Sequence, residues 1–277
     1  MADMGLTEVA AGVMDEVSRF VQAELKQKAV LANLVQNFPV GPGRDSVKIT
    51  RAGGFTAAAK AENTALTAQV ITFAADTMAL DQHKAVYVKL EDIASLQATP
   101  DVVEQILMRM ASEMAYDVDA YIVTKLEATS ASAPDHRLAY ADATSFKKAD
   151  ILAARQLLHV QNVPFNECYI GVSPASEVSL LAIDDFVHAD KYGSSEGLVN
   201  GELGRLYGAK VIMSNVFADA KTLVWHPSHV AFARQQNITF ERDRDLANVA
   251  TEYLATQLFG AQTLDSGKRG VLLGTAT

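Results

Sequence analysis

The fold of this chain is decided at residues 46–90, which read SVKITRAGGFTAAAKAENTALTAQVITFAADTMALDQHKAVYVKL. Apolar and polar residues alternate at both ends of this stretch and again near 70–80, and a period of two predicts strands. Between them, residues 52–67 consist mainly of Ala, Thr and Gly, with too few large apolar side chains to pack on one another. Loops of such length in compact domains are usually functional. We therefore expect this excursion to need a partner surface.

A long helix is predicted directly after the excursion. Thr99-Pro100-Asp101 suits a helix start, because the hydroxyl can cap free amides, proline fits the first helical position and the carboxylate faces the positive end of the dipole. Apolar residues then follow one stripe for about seven turns, which predicts a spine roughly 40 Å long. The stripe consists of Val103, Ile106, Leu107, Met110, Met114, Val118, Tyr121, Ile122 and Leu126.

The segments on either side of this pair complete the organisation. Residues 7–37 have apolar positions at helical spacing and predict an amphipathic arm, ended by Phe38-Pro39. After the spine, the pattern predicts an α/β subdomain inserted before the C-terminal strands. Its predicted elements are a helix near 145–161, a strand at 168–172, a short helix capped by Ser173 with Pro174 at its first position, a polar loop at 184–200, and strands at 209–214 and 223–226.

Composition excludes several classes of function. The 277 residues are 49% hydrophobic, enough for a sizeable core, and the formal charge is −9. Clustered cations are needed to bind phosphates tightly, so this balance argues against a sequence-reading nucleic-acid binder. The start has no basic segment and the chain has no apolar run of about 18 residues, so we expect neither export nor membrane insertion.

Residues 193–197 match the G-x-S-x-G pattern of a nucleophile elbow. That turn needs a strand ahead of the serine, whereas residues 188–192 are polar. A serine hydrolase using Ser195, with Asp219 and His226 as its partners, is the alternative from a different class. It predicts labelling of Ser195 by a fluorophosphonate probe.

Other chemical signals are weak. The single cysteine, Cys168, lies in an apolar run and predicts a buried, inert thiol. His226 and His229 have a spacing that binds metals on helices, but Pro227 between them favours a turn. The glycines at 201, 204 and 208 do not form a dinucleotide fingerprint, and no phosphate-binding P-loop is present. We predict no catalytic residue, no cofactor and no metal ligand.

The charged run Glu241-Arg242-Asp243-Arg244-Asp245 is more informative. In an extended segment, Glu241, Asp243 and Asp245 lie on one face and the two arginines on the other. Exposed ion pairs contribute only about 0–1 kcal/mol each, yet two oppositely charged faces suit registration between neighbouring subunits. A solvated charged loop is the other interpretation.

In this order of elements the sequence resembles the major capsid proteins of tailed bacteriophages, with the α+β Hong Kong 97-like fold. The resemblance lies in the excursion with its flanking strands 47–51 and 86–90, in the spine 99–126, and in the tract 201–215. That tract, a Gly-x-x-Gly-x-x-x-Gly turn followed by Lys210-Val211-Ile212-Met213-Ser214-Asn215, is similar to the family's approach to a central strand. The similarity spans nearly the whole chain.

The resemblance implies a domain plan. Residues 1–45 would be the N-terminal arm and 46–90 an extended β-hairpin E-loop that reaches over a neighbouring subunit. A peripheral P-domain would comprise 91–143, with the spine, and the return strands of 225–277, whereas 144–224 would form an α/β A-domain. As subunit-interface residues we expect members of the set Arg51, Phe55, Lys60, Glu62, Glu241, Arg242, Asp243, Arg244 and Asp245.

The implied function is structural. Copies would assemble through pentamers and hexamers into an icosahedral head enclosing double-stranded DNA, contacted non-specifically, with a separate scaffolding protein and a portal as further partners. Assembly would take place in the host bacterial cytoplasm and the product would be the virion. Lys60 and Asn248 lie where a crosslink could form, but no motif pairs them and we expect none. An encapsulin-like nanocompartment shell is the alternative within the same fold.

Overall fold

The computed structural model describes residues 30–92, 100–142, 146–181, 204–219 and 221–274. Its strands and helices alternate along the chain in the mixed pattern of an α+β protein, which confirms the predicted fold class. In chain order they are β1 (Gln36–Asn37), β2 (Ser46–Ala52), β3 (Phe73–Ala79), β4 (Gln82–Glu91), α1 (Pro100–Leu126), β5 (Arg137–Ala139), α2 (Lys148–Val160), β6 (Tyr169–Val172), α3 (Pro174–Leu181), β7 (Arg205–Leu206), β8 (Ala209–Met213), β9 (Lys221–Trp225), β10 (Val230–Asp245), β11 (Ala250–Thr263) and β12 (Gly270–Gly274).

The described strands form three sheets. One has four strands in the order β1-β10-β11-β4, another has six in the order β5-β12-β9-β6-β8-β7, and β2 and β3 form a hairpin of their own. In the six-stranded sheet β12 lies between β5 and β9, so the last described strand joins the sheet of the α/β region. The C-terminal segment therefore contributes to two sheets.

Helix α1 is the predicted spine, and it packs on the four-stranded sheet. Met110 and Met114 of its apolar stripe are buried against Ala255 of β11. Nearer its C-terminus, Tyr121 meets Phe259 edge to face at 5.6 Å between ring centroids. The side-chain Nε2 of Gln257, completely buried, donates to the carbonyl of Met114 at 2.8 Å. The stripe thus buries apolar surface on one sheet face, which stabilises both elements.

The second core fills the α/β region. Ile151, Ala154 and Leu158 of α2 recur on one helical face and are completely buried against the six-stranded sheet. The cap predicted for α3 is present, since the amide of Ser176 donates to the hydroxyl of Ser173 at 3.2 Å. The helix and strand predictions for this region are confirmed, apart from end shifts of up to three residues among those the structure describes.

The helical prediction for residues 30–37 is wrong. The chain makes a single 3₁₀ turn at Leu31–Asn33 and then pairs as β1 with β10. The carboxylate of Asp119 on α1 accepts the amides of Val30 and Leu31 at 2.9 and 3.2 Å. Those amides are therefore held by a side chain rather than by helical carbonyls. The remainder of the predicted arm, residues 7–29, lies outside the described residues.

Residues 46–90 contain the β2–β3 hairpin, followed by the separately paired strand β4. Strand β2 pairs with β3 from Ser46–Ala79 to Ala52–Phe73, whereas β4 turns away and pairs with β11. At the root of the hairpin, Gly260 of β11 lies directly against the backbone of Ala79. A Cβ added at Gly260 would stand 2.1 Å from the Ala79 carbonyl oxygen, so only glycine fits this contact.

Candidate assembly surface

Residues 53–72, which we call the distal loop, continue the β2–β3 hairpin away from both cores. The amide of Gly53 donates to the Thr72 carbonyl at 2.7 Å, and the Gln69 side chain bridges the two limbs by accepting from the Thr56 amide at 3.0 Å. Beyond these bonds the limbs run to a turn near Asn63, which has a φ of 58°. Residues 54–72 are all exposed, so this part of the loop is not buried in either core.

Several large apolar side chains on and beside this loop are exposed to solvent. Phe55 is 62% exposed and Val70 is 88% exposed, and Phe73 at the start of β3 is 70% exposed. Leu66 and Ile71 are also exposed. The base of the hairpin is different, because Val47 and Ile49 pack on the buried Met78 and Leu80. Apolar side chains gathered at one exposed projection are typical of a binding surface.

The four predicted contact residues of the excursion divide into two groups. Phe55, Lys60 and Glu62 are exposed on the distal loop. Arg51 instead lies on β2 next to the distal loop, where its guanidinium pairs with Asp76 at 3.0 Å and also with Asp265. These two carboxylates outweigh partial burial and raise the pKa of Arg51. Arg51 therefore joins the hairpin to the segment between β11 and β12.

The charged run 241–245 is extended, as the end of β10, so the strand interpretation is confirmed over the solvated loop. Within the chain, both arginines have partners. Arg244 makes two hydrogen bonds of 2.5 Å to Asp92, and the Arg242 guanidinium lies 5.8 Å from the Tyr253 ring centroid. A bidentate pair of this kind fixes the relative orientation of the two side chains in addition to the attraction between their charges.

Asp245 organises the tip of the β10–β11 hairpin. It pairs with Lys89 and accepts from the side-chain amide of Asn248 at 2.7 Å. The hydrogen bond from Lys89, followed by that from Asn248, lowers the pKa of Asp245 well below its usual range. Glu241 and Asp243 remain exposed on the strand. The tip itself carries the exposed apolar Leu246 and Val249.

The residues considered for chemistry are dispersed. Cys168 is buried, as predicted, and burial raises the pKa of its thiol to about 12, while its Sγ lies 3.4 Å from the Pro164 carbonyl. His226 contacts Ser228 at 2.7 Å and Glu167 at 3.3 Å, whereas His229 is completely buried. Pro227 and its neighbours form a 3₁₀ turn after β9, as predicted.

Asp219 accepts a bond from the Ser176 hydroxyl with its backbone carbonyl, and Ser195 and the glycine at 201 lie outside the described residues. Within the part of the chain that the structure covers, no three His, Cys, Asp or Glu side chains cluster so that they could hold a metal ion. The described helices include none with the length and apolarity to span a membrane.

Several structurally important polar residues escape sequence reasoning. Asp119, Gln257 and the buried pair His136 and His229 all bond to groups at least 88 residues away along the chain. In the sequence, Gln257 and His136 are single polar residues in ordinary settings, and the spacing of His226 and His229 points to a metal or a turn rather than to this bond. Asp119 gives a weak signal, as a carboxylate next to the apolar stripe of the spine.

Solved structures share this fold over almost the whole chain. Mycobacterium phage Che8 matches with a TM-score of 0.74 at 21% identity, over 94% of this chain and 96% of that chain. The capsid of the cyanophage P-SCSP1u matches at 0.76 with 15% identity, covering 95% and 93%. The capsid of the native GTA particle matches at 0.74 with 16% identity, covering all of both chains. The molecule therefore has the fold of phage capsid proteins, and the Hong Kong 97-like architecture is confirmed.

The family follows from the sequence itself. A family model described as phage capsid protein matches residues 18–273. This chain belongs to that family, and it is a structural major capsid protein that forms the phage shell. No curated protein matches the sequence directly.

Proposed function

We propose that copies of this chain assemble through pentamers and hexamers into a closed icosahedral shell around double-stranded DNA, with each distal loop lying over a neighbouring copy. The observation that carries the proposal is the exposure of Phe55, Val70 and Phe73 on a projection with no core of its own. A two-stranded hairpin alone is marginally stable in water. A second copy of the chain supplies the surface that this hairpin lacks.

The energetics support such a clasp. Burying one large apolar side chain contributes roughly 1.5–3 kcal/mol, so the five exposed on and beside the distal loop represent on the order of 10 kcal/mol before ordering costs. Each subunit both gives a loop and receives one. The contribution is therefore repeated around the shell, and modest contacts become collectively strong.

The other partners follow from charge and from the family. A chain with a net charge of −9 offers no dense cationic surface, which supports loose, non-specific contact with packaged DNA. We assign assembly to the host bacterial cytoplasm, with a separate scaffolding protein and a portal. The domain plan of N-terminal arm, E-loop, P-domain and A-domain belongs to the same proposal, as does the absence of a Lys60–Asn248 crosslink.

We further propose that the protein acts without catalysis. A purified sample should not react with a fluorophosphonate probe, and labelling that disappears in Ser195→Ala would establish the hydrolase instead. The same-fold alternative, a shell that encloses protein cargo, is separated by the contents of the particles. Nuclease-protected DNA supports the phage head, whereas protein cargo without DNA supports the nanocompartment.

Electron microscopy and sedimentation of the protein co-expressed with its neighbouring genes test assembly directly. Wild-type protein should give capsomers and closed shells. Deletion of residues 53–66 should leave a folded subunit, by circular dichroism, that assembles poorly. The matched control is Ala57→Ser with Ala58→Ser, which changes the same loop without removing large apolar groups and should assemble normally.

Two outcomes would contradict the proposal. Small monodisperse species from the wild type under every assembly condition would reject the shell. Unfolding of the deletion variant would mean that the distal loop belongs to a core.

A further inference from the structure

Three segments connect the four-stranded sheet and its helix to the six-stranded sheet, and they meet at one place. The first crossing runs from the end of α1 to β5, residues 126–137. The second joins β9 to β10 at 225–230, and the third joins β11 to β12 at 263–270. Any change in the angle between the sheets has to be accommodated in these crossings.

His229 contacts all three crossings and is completely buried. It lies on the second crossing, and its Nε2 donates to the carbonyl of Leu126 on the first at 3.1 Å. Its backbone carbonyl accepts the amide of Leu264 on the third at 2.8 Å. Its ring covers Gly270, where an added Cβ would stand 2.7 Å from Nε2.

His136 completes the arrangement from the other side and is also completely buried. Its Nδ1 donates to the carbonyl of Gly270 at 2.8 Å, and its amide donates to the carbonyl of Ser130 at 2.9 Å. Its own carbonyl accepts the amide of Leu272 in β12 at 2.9 Å. The two imidazoles therefore bind the same short stretch around Gly270.

The hydrogen bonds fix where the ring protons lie. A carbonyl can only accept, so His229 carries its proton on Nε2 and His136 carries its proton on Nδ1. The remaining nitrogens, Nδ1 of His229 and Nε2 of His136, are then unprotonated acceptors. Both are buried and have no hydrogen-bond partner among the described residues. Two unused basic sites thus lie inside the junction of the two sheets.

We propose that His136 and His229 form an acid-sensitive tie between the two sheets, which holds the crossings while the His229 ring is neutral and loosens when that ring is protonated. A proton added to the free Nδ1 of His229 creates a charge in a site without a compensating acceptor. Burying an unpaired charge is costly, so the junction opens to hydrate it.

The charged surroundings favour the neutral state. The positive charge of Arg269 disfavours a second positive charge on His229. Arg269 pairs with Asp265 at 3.5 Å and donates to the Ser228 hydroxyl at 2.9 Å. No ion pair joins either ring to a carboxylate within the described residues. The other titratable groups on the packed elements are Lys125 and Glu127 at the end of α1, Asp135 and Arg137 beside β5, His226 on the second crossing, and Lys268 on the third.

The pH window follows from linkage. Burial, with smaller contributions of the same sign from His136 and Arg269, lowers the pKa of His229 from 6.5 to about 4. Between these two values the opened form binds more protons than the closed form. The contribution of neutral His229 to the stability of the closed junction is therefore fully present above pH 6.5 and decreases as the pH falls toward 4. The equilibrium constant for opening should increase by up to about tenfold per pH unit in this window.

Hydrogen exchange of the unassembled full-length chain, from pH 7.5 to pH 4.5, provides the test. His229→Gln keeps a donor near the Nε2 position and removes the titrating ring, and His136→Asn keeps a donor near Nδ1, so both variants preserve the hydrogen bond. After correction for intrinsic exchange rates, wild-type peptides covering the three crossings should open more at low pH. The double variant should lose this dependence, and the exposed control His83→Gln should retain it.

A wild-type pH dependence that persists in the double variant would overturn the proposal. If the double variant does not fold, nitrogen NMR of the wild type with labelled histidines decides the question. We expect His229 with its proton on Nε2, His136 with its proton on Nδ1, and a midpoint for His229 well below 6.5. An imidazolium at pH 7, or an ordinary midpoint, would also overturn the proposal.

Discussion

The molecule contains two long antiparallel hairpins that differ in what lies beneath them. The β10–β11 hairpin rests on α1, and its Phe259 and Ala255 are completely buried. The β2–β3 hairpin extends into the distal loop, and between Thr50 and Thr77 none of its residues is buried. Similar backbone hydrogen bonding therefore supports two very different surfaces.

The two hairpins differ in whether the same chain covers one of their faces. A sheet needs at least one covered face to be independently stable, and α1 provides that cover for β10–β11. The distal loop has no such cover, although it carries aromatic and aliphatic side chains. These exposed side chains are the reason for our proposal that the distal loop contacts another copy.

Replacing a phenylalanine by alanine in each hairpin should change the free energy of unfolding by very different amounts. Phe259→Ala removes a buried ring packed on Tyr121 and should lower the free energy of unfolding by about 3–5 kcal/mol. Phe73→Ala changes an exposed ring and should alter it by less than about 0.5 kcal/mol. Urea unfolding of unassembled protein measures both. In assembly assays we expect Phe73→Ala to be strongly impaired; equal stability losses in the two variants would contradict this view.

Two aspartates on α1, the helix that supports the β10–β11 hairpin, should differ in their contribution to stability. Asp119→Ala removes a buried carboxylate that accepts the amides of Val30 and Leu31, and should cost about 2–4 kcal/mol. Burial raises the pKa of Asp119 despite these amide bonds. Asp117→Ala, two residues away, loses a pair with Lys84 at 3.4 Å and should cost less than about 1 kcal/mol. Thermal unfolding compares them, and similar costs would show that Asp119 does not hold the segment at Val30 and Leu31.

A smaller loss of stability than for Phe259→Ala or Asp119→Ala is expected at the base of the distal loop. Arg51→Gln removes the pairs with Asp76 and Asp265, which are partly exposed, so the cost in subunit stability should be about 1 kcal/mol or less. Because these pairs orient the hairpin, we expect slower assembly, followed by light scattering. Lys48→Gln on the same strand is the control and should assemble normally. Arg51→Gln assembling at the wild-type rate would show that orientation is set elsewhere.

Sequence reasoning succeeded where the determinants are local. The spine was predicted from apolar spacing and ends at Leu126 as expected. The Ser173 cap was predicted because Pro174 follows it directly. In both cases the responsible residues lie within a few positions of one another, where periodicity and capping operate.

Sequence patterns gave the wrong structure, or none, where residues far apart in the chain determine it. The segment 30–37 has helical spacing, but Asp119, nearly 90 residues away, takes its amides, and Leu31 and Val35 enter a core instead. The pair between Arg51 and Asp265 was not predicted either, because Asp265 lies far along the chain and the sequence gives no sign that the two meet. The partners of β4 and β12 were likewise set by tertiary pairing, which single-sequence patterns do not encode.

The contact between Gly260 and Ala79 has a mechanical consequence. No side chain separates the two backbones, so the hairpin root rests directly on β11, and a larger residue at position 260 would displace it. The placement of the distal loop thus depends on a residue that lies far from the loop in the sequence. On the same strand, Gln257 bonds to Met114 of the spine, so the hairpin root and the spine are both supported by β11.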